Sequence, residues 1–147
     1  MSAGRETVKA GFGERFARNS ALGMSGLALF AAIAVVVQGG VFPFLSTTAC
    51  LAMSYFFRRR ARQEEADRRH AIEDERDDVL LAPGDRSFRI AASIWMVGLA
   101  IALAWPPVRE ALLAPVLRVP GLLLVGVTVA NVAGHATVAA LYRRDRA

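Results

Sequence analysis

Arg58–Leu81, RRRARQEEADRRHAIEDERDDVLL, decides how the rest of the chain is read. It is densely charged, and apolar runs flank it: Ser20–Val37 and Val41–Phe57 before, Phe88–Trp105 and Val119–Tyr142 after. The 147 residues are 54% hydrophobic and 21% charged, and the two kinds are segregated into blocks. A soluble helix interleaves them at a period of about 3.6. Blocks of each in turn are the pattern of membrane spans joined by polar loops. The expectation is one all-α membrane unit of four transmembrane helices, two hairpins joined by a charged cytoplasmic helical segment.

Five segments follow in chain order. Residues 1–19 read as a cytoplasmic amino-terminal arm, 20–57 as the first hairpin and 58–87 as the charged cytoplasmic segment. Residues 88–142 read as the second hairpin with an outer interfacial connection, and 143–147 as a basic cytoplasmic tail. Ser20–Val37 rises ~27 Å as a helix, close to a hydrocarbon core of ~30 Å. A cleaved leader is the weaker reading, because the run is long for a signal core and a second run follows almost at once. Gln38-Gly39-Gly40 reads as a tight turn, and Pro43 sits in the first turn of the next helix, where a missing N–H does little harm. Tyr55, Phe56 and Phe57 form an interfacial aromatic group.

The charged stretch has no Gly or Pro before Pro83, so the second helix is expected to continue past the membrane. Glu64–Arg68 and Glu65–Arg69 support a helix by ~0.2–0.5 kcal/mol each. Ala82-Pro83-Gly84-Asp85 reads as the turn that returns the chain to the bilayer, and Pro106-Pro107 stops the third span. Val108–Arg118 reads as a short helix or loop in the outer interface.

Basic residues set the expected orientation. With both termini inside, the outer connections hold only Arg109 and Arg118 of the 18 basic residues. The positive-inside rule therefore favours cytoplasmic termini in a multi-pass protein. Only Lys9 among the 18 is a lysine, and that Arg and Ala bias reads as a GC-rich bacterial genome, hence a bacterial inner membrane. The net charge of +5 flanks apolar spans, which implies anionic lipid headgroups as partners and no direct nucleic acid. The single cysteine, Cys50, allows no internal disulfide and supplies too few thiolates for a cysteine-based metal site.

Candidate residues fall into three groups. Gly23 and Gly26 in the first span, and Gly126, Ala130 and Gly134 in the fourth, are small residues that let helices approach closely, and they point to a homo-oligomer. Thr128, Asn131 and His135 fall at i, i+3, i+7 on an adjacent stripe of the fourth span. A polar stripe inside the membrane is a candidate proton or substrate path. Interhelical hydrogen bonding is the simpler account, because the other apolar runs contain no acid. His70, Glu73, Asp74 and Asp77 share one helical side, but neighbouring arginines neutralise them and a solvated charged face explains them without a metal. There is no phosphate-cradling loop, no Ser/His/Asp set and no Cys-x-x-Cys, so no catalytic residue and no cofactor is expected.

Asp74-Glu75-Arg76-Asp77, then Leu80, then Gly84-Asp85-Arg86 just before a span, resembles a family of small predicted bacterial inner-membrane proteins of unknown function. There an Asp-Glu-Arg-Asp motif follows one hydrophobic hairpin and leads into a second. The resemblance covers residues 41–142 in layout and about 13 positions in motif. It implies a membrane partner of a small helix-turn-helix regulator, since members of the group are encoded beside such regulators. This chain departs from the pattern at Pro83, which is expected to break the helix that runs on into the third span. Arg76 can pair with Asp77 or Glu73, and Arg86 with Asp85 or Asp78. An exposed pair contributes only about 0–1 kcal/mol, so the motif reads as a docking surface for a cytoplasmic regulatory protein. The expected function is thus non-enzymatic, an interaction or regulatory protein docking through its charged segment. A small oligomeric transporter or channel subunit is the alternative. Small multidrug exporters share the four-span layout but use a membrane-embedded Glu in the first span, where Ser20–Val37 has no acid.

Overall fold

The computed structural model describes residues 12–66 and 72–144, with the side chains of Phe12, Arg58, 60–66 and 72–80 outside that description. Among the described residues the protein is entirely helical: α1 (Phe12–Ala31) running into a π-helical end (Ala32–Val37), α2 (Val41–Ala66), α3 (Ile72–Ala104), α4 (Pro106–Leu113) and α5 (Arg118–Arg144). Three stretches are long and apolar enough to cross a membrane: Gly13–Val37, Leu81–Ala104 and Arg118–Arg144. The apolar part of α2, Val41–Phe57, is shorter. Many large apolar side chains are exposed along these helices, Phe42, Phe56, Ile94 and Ile101 among them. Water would penalise such a surface, whereas hydrocarbon solvates it.

α5 is the central element, with α1 along one side and α3 along another. On α1, Glu14, Ala17, Met24, Ala31 and Val35 are buried, and Ala21 and Ala28 between them are half-buried. The alternating steps of three and four residues make one seam down the helix. Gly121 of α5 lies against Val35 and Val36, Ala17 packs with Val138 and Ala139, and Gly13 lies beside Tyr142, so α1 and α5 run antiparallel.

The α3–α5 contact is antiparallel too. Trp95 lies on Gly126 and donates its indole N–H to the Leu122 carbonyl at 2.9 Å, while Phe88 and Gly84 meet Gly134. Gly84 and Gly134 bring backbone onto backbone: a Cβ on either would sit 3.1 Å from the other's carbonyl oxygen. Thr137 donates to the Ser87 hydroxyl at 3.0 Å.

α1 and α3 are therefore parallel to each other. Residue 37 lies at one end of the assembly and Leu81, packed on the Ala17–Val138–Ala139 cluster, at the other. The chain from Val41 to Leu81 consequently joins opposite ends. α2 nevertheless touches its neighbours only lightly, and Thr47 is the sole buried residue of Val41–Phe57.

Two local expectations change, and one feature is new. Helix α1 begins at Phe12, so residues 12–19 belong to it rather than to an arm. The Gly13–Val37 segment thus carries Glu14 as well as Arg15 and Arg18. Pro83 does not break the chain into a turn: α3 runs through it. A proline inside a helix removes one hydrogen bond and costs about 3 kcal/mol. Here Leu81 packs on Ala17, Val138 and Ala139, and Gly84 packs on Gly134 and Val138, contacts that oppose that cost. The end of α1 widens into a π-helix over the β-branched run Ile33, Val35, Val36, Val37. Gly39 then reverses the chain at φ +70°, the left-handed region that glycine enters without penalty. Trp105 adopts an extended backbone before Pro106, which opens α4.

Candidate functional site

Several buried or half-buried polar side chains lie on α5, the helix that packs against the α1 seam. Thr128 is fully buried and shares its hydroxyl proton between the carbonyls of Val125 (2.8 Å) and Leu124 (3.1 Å) of its own helix. Asn131, half-buried, donates through Nδ2 to the Val127 carbonyl at 2.8 Å. His135, also half-buried, meets the edge of Phe16 from α1, ring centroids 6.3 Å apart and planes at 81°. Two turns further along α5, Tyr142 closes the seam beside Gly13. Thr128 and Asn131 thus satisfy α5's own carbonyls, and His135 touches the neighbouring helix. Helix-internal bonding of this kind lets polar side chains sit in hydrocarbon.

Glu14 belongs to the same seam and was not among the residues singled out from the sequence. Its side chain is 5% exposed, although Arg15 and Arg18 beside it on α1 are exposed. Its sequence signal is its position, three residues before Ala17 on the seam's repeat.

At the opposite end, Arg118 opens α5. Its Nη1 donates to the Ala111 carbonyl at 2.6 Å and its Nε to the Val36 carbonyl at 3.4 Å. A cation at the carbonyl end of α1 suits the negative pole of that helix. The widened π-helical turn presents Val36 O to it.

Gly126, Ala130 and Gly134 are buried in α5, whereas Gly23 and Gly26 of α1 are exposed with nothing within 4 Å of where a Cβ would stand. They line an open groove of about 470 Å³ between α1 and α2, with Ser20, Met24, Leu27, Phe30, Cys50 and Ser54. Asp74, Glu75, Arg76 and Asp77 fall in the first turns of α3, their side chains outside the description, and Asp85 and Arg86 are exposed one turn before Arg89. His70 lies outside the described residues, and the side chains of Glu73, Asp74 and Asp77 do too.

Comparison with protein-family models, with curated proteins and with solved structures found no match.

Proposed function

We propose that the chain is a non-enzymatic, four-span protein of a bacterial inner membrane that docks a cytoplasmic regulatory protein through its charged segment, residues 58–86. The observation that carries this reading is the continuation of both helices past their apolar parts. Arg58–Ala66 extends α2 and Ile72–Leu80 extends α3, each by ~13 Å at 1.5 Å per residue. A binding segment built on helical backbone loses less conformational freedom when a partner arrives. The antiparallel sense of α5 against both α1 and α3 supports Val41–Phe57 as the fourth span, since the chain must return between opposite ends there. Both termini are then cytoplasmic, and Asp74, Glu75, Arg76, Asp77, Asp85 and Arg86 form the contact surface.

Crosslinking from residues 58–86 of the full chain in native membranes tests this. A defined soluble partner should be captured and lost in the double variant Asp74→Arg, Asp77→Arg. An unchanged capture in that variant, or after deletion of residues 63–80, would end the docking reading.

A second reading, a small oligomeric transporter or channel subunit, gains from Glu14. The first apolar run has no acid when it starts at Ser20, but α1 carries a buried one. That reading expects a flux or resistance phenotype that His135→Ala removes while expression is preserved.

A further inference from the structure

We propose that Glu14 and His135 form a proton-exchange site in the α1–α5 seam, with Tyr142 at its mouth beside the Arg143–Arg144 end of α5. The proposal rests on neither functional reading above. Its first support is a contrast in burial. Among the described residues Glu14 is the only buried charged side chain. Arg15, Arg18, Arg59, Asp85, Arg86, Arg89, Arg109, Glu110, Arg143 and Arg144 are exposed, and Arg118 is half-buried.

The second support is geometric. Gly13 lies beside Tyr142, Phe16 meets His135, and Ala17 packs with Val138 and Ala139. The turn of α1 that carries Glu14 is thus bracketed by the turns of α5 that carry His135 and Tyr142. Among the described residues, these are the groups that the neighbouring elements bring near it. From α5 they are His135 and Tyr142; α3 brings Leu81 and Gly84, which carry no charge, with Asp85 and Arg86 exposed beyond them. Arg15 and Arg18 of α1 and Arg59 of α2 are exposed.

The third support is chemical. A carboxyl removed from water persists only with hydrogen bonds, a counter-charge or a proton. A side chain needed merely to accept hydrogen bonds is replaceable by an amide. A carboxyl and an imidazole in one apolar seam have a property that an amide lacks: each can take up and release a proton. The ligand is the proton itself, delivered from water at the Tyr142 end, held on a Glu14 oxygen and passed to an imidazole nitrogen of His135. No other reactant is consumed.

Infrared difference spectroscopy of the full chain in vesicles of phosphatidylethanolamine and phosphatidylglycerol tests the site. A pH titration should reveal a protonated-carboxyl band that Glu14→Gln abolishes. Its midpoint should move by ~0.5 pH unit or more in His135→Gln, because an added or removed charge nearby acts through a poorly screening medium. Glu14→Asp, which keeps the carboxyl, should retain a titrating band at an altered frequency, so the assignment survives if the Gln variant fails to fold. Absence of any band that depends on residue 14, or a midpoint indifferent to His135→Gln, would overturn the proposal.

Discussion

The two faces of α1 carry similar residues and behave differently. Towards α5, small residues meet shaped partners: Val35 and Val36 fill the space over Gly121, and Ala17 lies on Val138 and Ala139. Towards α2, Gly23 and Gly26 meet nothing and form one wall of an open groove. Small size is therefore a permission and not an attraction. In lipid, helices associate through close contact and hydrogen bonds rather than through hydrophobic burial. A glycine contributes only where the opposite helix offers a side chain or backbone to occupy its place.

Four substitutions probe that contrast, and unfolding in detergent micelles reads their stability. Gly134→Leu should have the largest effect, about 3 kcal/mol, because its side chain would be forced into the Gly84 backbone and separate α3 from α5. Trp95→Phe should cost about 1 kcal/mol, from the lost indole hydrogen bond to Leu122 and the emptied space over Gly126. Arg118→Gln should cost about 0.5 kcal/mol, since water near the helix ends replaces part of what the guanidinium gives to Val36 and Ala111. Gly26→Val should change stability by less than ~0.5 kcal/mol. A larger loss in that last variant, with a change in sedimentation or crosslinked size, would mean that a second copy occupies the α1–α2 groove and would dissolve the contrast.

Much of the helical layout was legible because it depends on local quantities. The apolar runs of Phe88–Trp105 and Val119–Tyr142 mark most of α3 and α5, and Pro106-Pro107 marks the junction between α3 and α4. The start of α1 was not legible, because Arg15 and Arg18 make residues 13–19 look like a polar arm, while Glu14 is buried and Ala17 packs on Val138 and Ala139 of α5. Pro83 misled for a related reason. Its local cost is visible in the sequence, but the contacts of Leu81 and Gly84 that oppose it are supplied by residues fifty or more positions away. In the candidate site the stripe Thr128, Asn131, His135 follows from helical periodicity alone. Its counterpart Glu14 depends on which helix lies opposite, and periodicity within one helix carries no such information.

The central position of α5 has a consequence for how the protein is made. α1 begins at Phe12, and the helix it packs against begins at Arg118, more than a hundred residues later. A ribosome adding ~5–20 residues per second takes ~5–20 s to cover that interval. Throughout it, α1 waits in the membrane with its seam unmatched and Glu14 without the helix that will cover it. Assembly of this protein is thus a late event, timed by translation, and any factor that shelters a nascent span has that window in which to act.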